Sequence, residues 1–227
     1  MVLIVGGVLL LGLIILPQFW VKKVFADFLV ERDDYPGTAG QFAEHVIEQL
    51  AVKNAIVKLS DNVNHFDPES RAVALVPEYY QSKSLTALTV AAHELGHLIQ
   101  AEQGSIWLRM RTRLVLLSQK LERLGAVALL IMPLGTILTR SPFVMVLLTG
   151  IGLSGMLMRV VVHLITLPME LDASFGKALP LLMAGKYVSE ADEPKVRRIL
   201  WAAALTYVSS ALSSLLSLAN WIRVLRR

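Results

Sequence analysis

Residues 124–158 read LGAVALLIMPLGTILTRSPFVMVLLTGIGLSGMLM, and this stretch decides the fold. It consists of two uncharged runs, residues 124–139 and residues 143–158, separated by Arg-Ser-Pro at residues 140–142. A bilayer core of about 30 Å is crossed by about 20 helical residues, so two such runs joined by a short, proline-containing turn are typical of antiparallel membrane helices. The sequence therefore predicts a transmembrane hairpin over residues 125–167, with its tip at residues 140–142.

Each arm of this hairpin has one irregular feature. The first arm is short for a full crossing and contains Pro133, so we expect it to be tilted, kinked or only partly inserted. The second arm continues past Arg159 towards Thr166, and we expect the Arg159 side chain to extend to the lipid headgroups.

The composition is that of a membrane protein. Of the 227 residues, 55% are hydrophobic and 18% are charged, with a mean hydropathy of +0.57, whereas soluble domains are about 45–50% apolar and about 25% charged. The chain has no cysteine, which excludes disulfide frameworks, thiolate nucleophiles and Cys-ligated metal sites. The net charge of +4 comes without a basic stripe interleaved with aromatic residues, so we attribute it to membrane orientation and exclude nucleic-acid binding.

Two further apolar stretches lie at the ends of the chain. Residues 1–21 contain no charged side chain and predict an N-terminal transmembrane anchor; a cleaved signal peptide is the alternative, but positive residues follow this stretch rather than precede it. Residues 199–222 are uncharged and rich in Ala and Ser, which predicts a C-terminal transmembrane helix within residues 199–227. A buried or interfacial amphipathic helix is the alternative there. With the hairpin, about four helices are embedded in the membrane.

The charges next to the spans give an orientation with one conflict. Lys22 and Lys23 follow the first span, so the positive-inside bias places the residues after it in the cytoplasm. If the last helix spans, Arg223, Arg226 and Arg227 lie on the outer side, against the same bias.

Residues 22–124 and 168–198 remain to form one small unit in water. Residues 55–59 and 71–76 are apolar and rich in β-branched side chains, which predicts two short strands with the polar turn of residues 61–70 between them.

Three helices are predicted in the first of these segments. Thr38 and Gln41 have the spacing of a capping box that opens a helix through Leu50. A second helix extends over residues 85–103 until Gly104 stops it, and a basic amphipathic helix suited to the membrane surface, or to simple solvation, follows over residues 106–123.

The second of these helices contains His93-Glu94-Leu95-Gly96-His97, which is the pattern HExxH. Two histidines four residues apart differ by about 40° around a helix and about 6 Å along it, so both imidazoles can reach one metal ion. Glu94 projects to the side, where its carboxylate can take a proton from the attacking water of a hydrolysis reaction. The pattern therefore predicts a zinc hydrolase site; two histidines satisfied within a core or lining a cavity are the alternative.

A catalytic zinc ion needs a third protein ligand. The candidates are Glu170, Asp172, His65, Asp67 and His163. Two membrane crossings between His97 and Glu170 return the chain to its starting side, so the hairpin prediction and a ligand at Glu170 support each other.

The sequence resembles the membrane-bound neutral zinc metallopeptidases of the YugP type, a family associated with the membrane-embedded gluzincins. The similar stretches are residues 64–68 (NHFDP), 91–100 (AAHELGHLIQ), 167–174 (LPMELDAS) and 198–216. The resemblance implies one zinc ion per chain, held by His93, His97 and Glu170, with Glu94 as general base, in a peptidase of the bacterial plasma membrane. Asn64, where an acidic residue is more usual, and Leu98, where a smaller one is, depart from the family pattern.

Weaker expectations concern three other side chains. Asp172 orients a ligand histidine in one interpretation and is a helix N-terminal charge in the other. His65 or Tyr80 stabilises the oxyanion of the reaction in one interpretation, and both are turn or strand surface in the other.

Taken together, the sequence predicts a mainly α membrane protein with a small α+β zincin-like catalytic unit. Its expected function is zinc-dependent hydrolysis of peptide bonds in peptides or proteins, membrane proteins among them, near the bilayer surface and on the cytoplasmic side. A zinc-binding membrane scaffold or adaptor that cleaves little is the alternative. A metal transporter is disfavoured, because transporters place their ligands within the spans.

Overall fold

The computed structural model describes residues 2–225 and is mainly helical with one small sheet. Its elements, in chain order, are α1 (Val2–Asp27), α2 (Ala39–Gln49), β1 (Ile56–Leu59), β2 (His65–Asp67), β3 (Ala72–Leu75), α3 (Pro77–Tyr80), α4 (Leu85–Glu102), α5 (Ile106–Thr139), α6 (Pro142–Leu171), a π-helical segment (Asp172–Ala178), α7 (Leu179–Ala184), a 3₁₀ turn (Glu190–Asp192) and α8 (Glu193–Leu225).

The chain divides into two compact units. One, here called the sheet unit, comprises the residues up to Leu108 together with Pro168–Thr206. The other, here called the hairpin unit, comprises Arg109–Leu167 and the residues from Tyr207 onwards. The chain therefore leaves the sheet unit through α5 and returns to it near the end of α6.

The sheet unit contains a mixed three-stranded sheet in the order β1-β3-β2. The central strand β3 is parallel to β1 and antiparallel to β2, and all four of its residues are buried. The two predicted strands correspond to β1 and β3. The segment predicted as a polar turn, residues 61–70, contains β2, which is only three residues long and buries only Phe66.

Capping residues define the helices that flank this sheet. The predicted capping box is present, since the Thr38 side chain accepts from the Gln41 backbone N–H and the Gln41 side chain accepts from the Thr38 backbone N–H. Helix α4 is opened by the Ser84 hydroxyl, which accepts from the backbone of Ala87. It ends at Glu102, one residue before the predicted end, and the predicted stop at Gly104 follows with a φ of +64°, a conformation that glycine adopts without strain.

The hairpin unit contains the predicted pair of long helices, α5 and α6. Arg140 turns the chain between them with φ +49°, and Pro133 lies inside α5 without ending it. The predicted amphipathic helix over residues 106–123 is the first half of α5. The Arg159 side chain donates to the Glu122 carboxylate of α5, with a distance of 3.0 Å from Nε to Oε1, and its extension to the lipid headgroups stays a prediction.

Three helical stretches among the described residues are long and apolar enough to cross a membrane, rather than the four expected. They are Ile106–Thr139, Pro142–Ala184 and Glu190–Asn220. The last of them starts well before the predicted residue 199. Residues 2–21 of the predicted anchor over residues 1–21 form part of α1, but most of their side chains lie outside the described part of the chain, so this span remains a prediction.

Candidate metal centre

Helix α4 supplies the three residues of the HExxH pattern from within the core of the sheet unit. Ala91, Ala92, Leu95 and Leu98 are all fully buried around them, which fixes the helix rigidly. Glu94 is 7% exposed and His97 6% exposed, and the His93 side chain is 13% exposed. The two imidazole rings lie edge to face with their centroids 4.8 Å apart.

Glu170 meets these rings from the last turn of α6. Its side chain is 1% exposed, and its Oε2 atom lies 3.1 Å from His93 Nε2 and 3.3 Å from His97 Nε2. One ligand atom from each of the three residues lies within 4.8 Å of the other two. The structure thus brings together two residues of α4 and a residue that is 73 positions further along the chain.

The donor set fits a zinc ion. Two atoms that are each about 2.0–2.1 Å from a tetrahedral zinc ion are roughly 3.3 Å apart, which is close to both distances from Glu170 Oε2. Within the described residues this buried oxygen has no hydrogen-bond partner, although two imidazole nitrogens face it. A buried carboxylate oxygen without a donor is costly, and a cation bound between the three side chains would satisfy it.

The electrostatics of the site favour a positive charge. Burial lowers the pKa of the His97 imidazole, but the negative charge of the Glu170 carboxylate beside it, helped by Glu94 and Gln100, outweighs burial, so the pKa of His97 lies above its ordinary value. The same negative charge that favours a proton on the imidazole attracts a metal ion to it.

Close packing of α4 on the π-helical segment brings the ligands together. A Cβ atom at Gly96 would lie 2.5 Å from the backbone oxygen of Ala173, so only glycine allows this approach. The segment begins directly after α6, and π-helical turns widen a helix locally and are frequent at functional sites. Glu170 and Ser174 are thereby positioned against the histidines of α4.

The outer nitrogens of both rings face polar side chains. His93 Nδ1 lies 3.0 Å from Ser174 Oγ, and His97 Nδ1 lies 3.0 Å from Gln100 Oε1. Asp172, expected to orient a histidine, contacts Gln100 instead, with its Oδ2 2.7 Å from Gln100 Nε2. Gln100 and Ser174 received no role from the sequence. The position of Gln100, three residues after His97 on the same helix face, is the signal that could have identified it.

The other candidate ligands lie apart from this cluster. The Asp67 carboxylate accepts from Ser70, from the backbone N–H of Glu69 and from Lys58, and these contacts lower its pKa to about 2. His163 belongs to the hairpin unit. Neither is part of a group of potential ligands within the described residues.

The two residues considered for the oxyanion have other partners. The Tyr80 hydroxyl donates to Glu44 over 2.7 Å, and this hydrogen bond raises the pKa of the phenol. His65 Nδ1 lies 3.0 Å from the backbone oxygen of Val63.

The two departures from the family pattern have structural roles. Asn64 Oδ1 accepts from the backbone N–H of Val76 over 2.8 Å, which closes the end of the sheet. Leu98 is fully buried in the core of the sheet unit.

Comparison with known proteins agrees with this geometry. The model of the family described as "Putative neutral zinc metallopeptidase" matches residues 1–226. The chain is 30% identical over 218 residues to the "Putative membrane protease YugP" of Bacillus subtilis (strain 168). The aligned region covers 94% of this chain and 92% of that protein. No solved structure matches the chain.

Proposed function

The chain belongs to the neutral zinc metallopeptidase family, and from this premise we propose that it is a membrane-embedded zinc endopeptidase with a zincin-like catalytic unit. It hydrolyses peptide bonds near the surface of a bacterial plasma membrane, on the cytoplasmic side. The observation that supports this most strongly is the convergence of His93, His97 and Glu170, whose ligand atoms lie within 4.8 Å of one another.

Three protein ligands leave a fourth position for water or substrate, which is the arrangement of catalytic rather than structural zinc sites. When bound, zinc would polarise the scissile carbonyl and make the attacking water more acidic. His93, His97 and Glu170 would hold the ion and fix its position relative to Glu94.

Glu94 is the proposed general base. It follows His93 directly on α4, so its carboxylate is presented beside the ligands rather than among them. It takes a proton from the attacking water at a carboxylate oxygen and delivers that proton to the nitrogen of the leaving amine. The surrounding buried residues exclude bulk water from this transfer.

A location in the membrane is supported by the three apolar helical stretches and by the similarity to a protein described as a membrane protease. If the hairpin crosses the membrane twice, both of its ends lie on one side, so His97 before it and Glu170 after it are on the same side. The cytoplasmic side follows from Lys22 and Lys23 after α1 has crossed.

The proposal is tested with Glu94→Gln in the detergent-purified full chain. We expect the variant to retain about one zinc ion per chain and to lose hydrolysis of a fluorescence-quenched peptide library by about 10²-fold or more, since general-base catalysis contributes about 10²–10⁴-fold. Glu48→Gln, at an exposed position of α2, is the matched control and retains full hydrolysis.

Undiminished hydrolysis by Glu94→Gln would refute the proposed mechanism. A wild-type protein that binds zinc but cleaves nothing, with a cellular phenotype unchanged in Glu94→Gln, would favour the scaffold alternative instead.

A further inference from the structure

We propose that Gln100, held in place by Asp172, is a positioning residue that fixes the tautomer and the ring orientation of His97. This inference rests on the proposed zinc site but not on peptide hydrolysis. It follows from the hydrogen-bonding capacities of a few buried atoms.

The first step concerns the orientation of the Gln100 side-chain amide. Its Nε2 atom lies 2.9 Å from the backbone oxygen of Met169 and 2.7 Å from Asp172 Oδ2. An amide nitrogen only donates, whereas a carbonyl oxygen and a carboxylate only accept. The nitrogen must therefore face Met169 and Asp172, and the amide cannot be flipped without placing its oxygen against two other acceptors.

The second step concerns His97. With the amide so oriented, Gln100 Oε1 faces His97 Nδ1 over 3.0 Å. Because Oε1 only accepts, Nδ1 must carry the ring proton, and the neutral ring then has its lone pair on Nε2. Nε2 is the atom that lies 3.3 Å from Glu170 Oε2, so when a metal ion is bound between these two atoms, the Nδ1–H bond to Gln100 leaves the Nε2 lone pair directed at the ion.

The third step concerns the rigidity of this connection. Gln100 is 1% exposed, so water does not replace its partners readily. Both of its acceptors flank Glu170, which means that one side chain connects the helix of His97 to the segment that provides the third ligand. A Cβ atom at Gly176 would lie 2.4 Å from Asp172 Oδ1, so this glycine leaves the space that the Asp172 carboxylate occupies.

The other ligand histidine differs in the partner of its outer nitrogen. His93 Nδ1 faces the Ser174 hydroxyl, which can donate as well as accept and so does not select a tautomer. The inference therefore concerns His97 alone, and His93 serves as an internal control.

The experiment compares wild type, Gln100→Met and the control Gln103→Met, at an exposed position just after α4. ¹H–¹⁵N NMR of the histidine-labelled, zinc-loaded full chain reports each histidine Nδ1–H proton and how fast it exchanges with water. We expect the His97 Nδ1–H proton to exchange slowly in wild type and control and rapidly in Gln100→Met, while His93 stays unchanged. Zinc affinity, measured by competition with a chelator, is expected to fall about 10–100-fold in Gln100→Met only.

A second variant decides the matter if Gln100→Met does not fold. Asp172→Ala removes one of the two acceptors that hold the Gln100 amide, whereas the control Asp172→Asn keeps an acceptor at this partly exposed position. We expect Asp172→Ala to speed exchange of the His97 Nδ1–H proton and to weaken zinc binding by about tenfold, and Asp172→Asn to leave both unchanged. Unchanged proton exchange and zinc affinity in a folded Asp172→Ala protein would overturn the inference.

The inference and the proposed function fail in different ways. Unchanged His97 Nδ1–H exchange and zinc affinity in Gln100→Met would overturn the inference while leaving the zinc site intact. A wild-type protein that binds zinc but cleaves no peptide would refute the proposed function alone, and the NMR and affinity comparison would still decide the role of Gln100. A wild-type protein that binds no zinc would overturn both.

Discussion

At the scale of single residues, Glu170 is the side chain that completes the proposed three-ligand site. It is almost fully buried, and its Oε2 atom lies 3.1 Å from His93 Nε2 and 3.3 Å from His97 Nε2. Without it, two imidazoles would remain, which is one ligand short of the number typical of catalytic zinc sites.

We therefore expect Glu170→Ala to lose zinc and the wild type to contain about one zinc ion per chain after purification. Metal analysis of detergent-purified protein measures this directly. His65→Ala is the matched control, because His65 is a candidate ligand whose ring instead faces the backbone of Val63. Equal zinc content in wild type and Glu170→Ala, or loss of zinc in the control, would contradict the proposed ligand set.

Sequence alone identifies part of this site, for a physical reason. His93, Glu94 and His97 lie on one helix, so their spacing already places them together. Glu170 is distant in sequence, and it was considered because two membrane crossings between His97 and Glu170 return the chain to its starting side. In the structure the Glu170 carboxylate does lie beside both imidazoles. The spacing of Gln100 from His97 is a local signal, but what holds the Gln100 amide in place is Met169 and Asp172, which reach it only in the folded chain.

At the scale of elements, the site depends on how closely α4 approaches the π-helical segment. The contact is between backbones, since a Cβ atom at Gly96 would lie 2.5 Å from the oxygen of Ala173. Neither partner is the end of a flexible side chain, so an added methyl group must move one element away from the other.

Gly96→Ala is therefore expected to destabilise the fold by about 1–3 kcal/mol, the usual cost of overpacking, and to weaken zinc binding. Thermal unfolding in detergent and chelator competition measure the two effects. Gly150→Ala on α6 is the control, because a Cβ atom there meets nothing within 4 Å and alanine favours a helix. If Gly96→Ala is as stable as Gly150→Ala, α4 and the π-helical segment can move apart without cost, and the close approach at Gly96 is not required for the fold.

The elements that the sequence predicted are those with local signals. The capping box at Thr38 and the stop at Gly104 are set by neighbouring residues, and both are found in the structure. Strand β2 lacked a recognisable pattern because it is three residues long and lies within a polar segment. The π-helical turns after α6 are set by packing against α4, so helical periodicity could not reveal them.

At the scale of the whole molecule, charge suggests an orientation. The basic residues at the start of α5 are Arg109, Arg111, Arg113, Lys120 and Arg123, whereas the hairpin tip has Arg140 alone. Basic residues are retained on the cytoplasmic side of bacterial membranes. The charge distribution along the hairpin therefore agrees with that of Lys22 and Lys23, and both favour a cytoplasmic sheet unit.

Because the chain has no cysteine, single introduced cysteines can report the side of the membrane that each part faces. Lys53→Cys and Glu190→Cys are at exposed positions of the sheet unit, and Ser141→Cys is at the hairpin tip. We expect a membrane-impermeant maleimide to label Ser141→Cys in intact cells and to label the other two only after the inner face is made accessible. The cysteine-free wild type is the control for background labelling.

The three labelling positions separate the possible errors. If the hairpin spans the membrane, the chain crosses twice between Lys53 and Glu190, so these two positions must be labelled from the same side whichever way the protein is oriented. Labelling of Ser141→Cys from that same side would mean that the hairpin does not cross the membrane. Reversal at all three positions would refute the cytoplasmic side alone. Labelling of Lys53→Cys and Glu190→Cys from opposite sides of the membrane would be the most damaging result. The histidines of α4 and Glu170 would then lie on opposite sides and could not form one site.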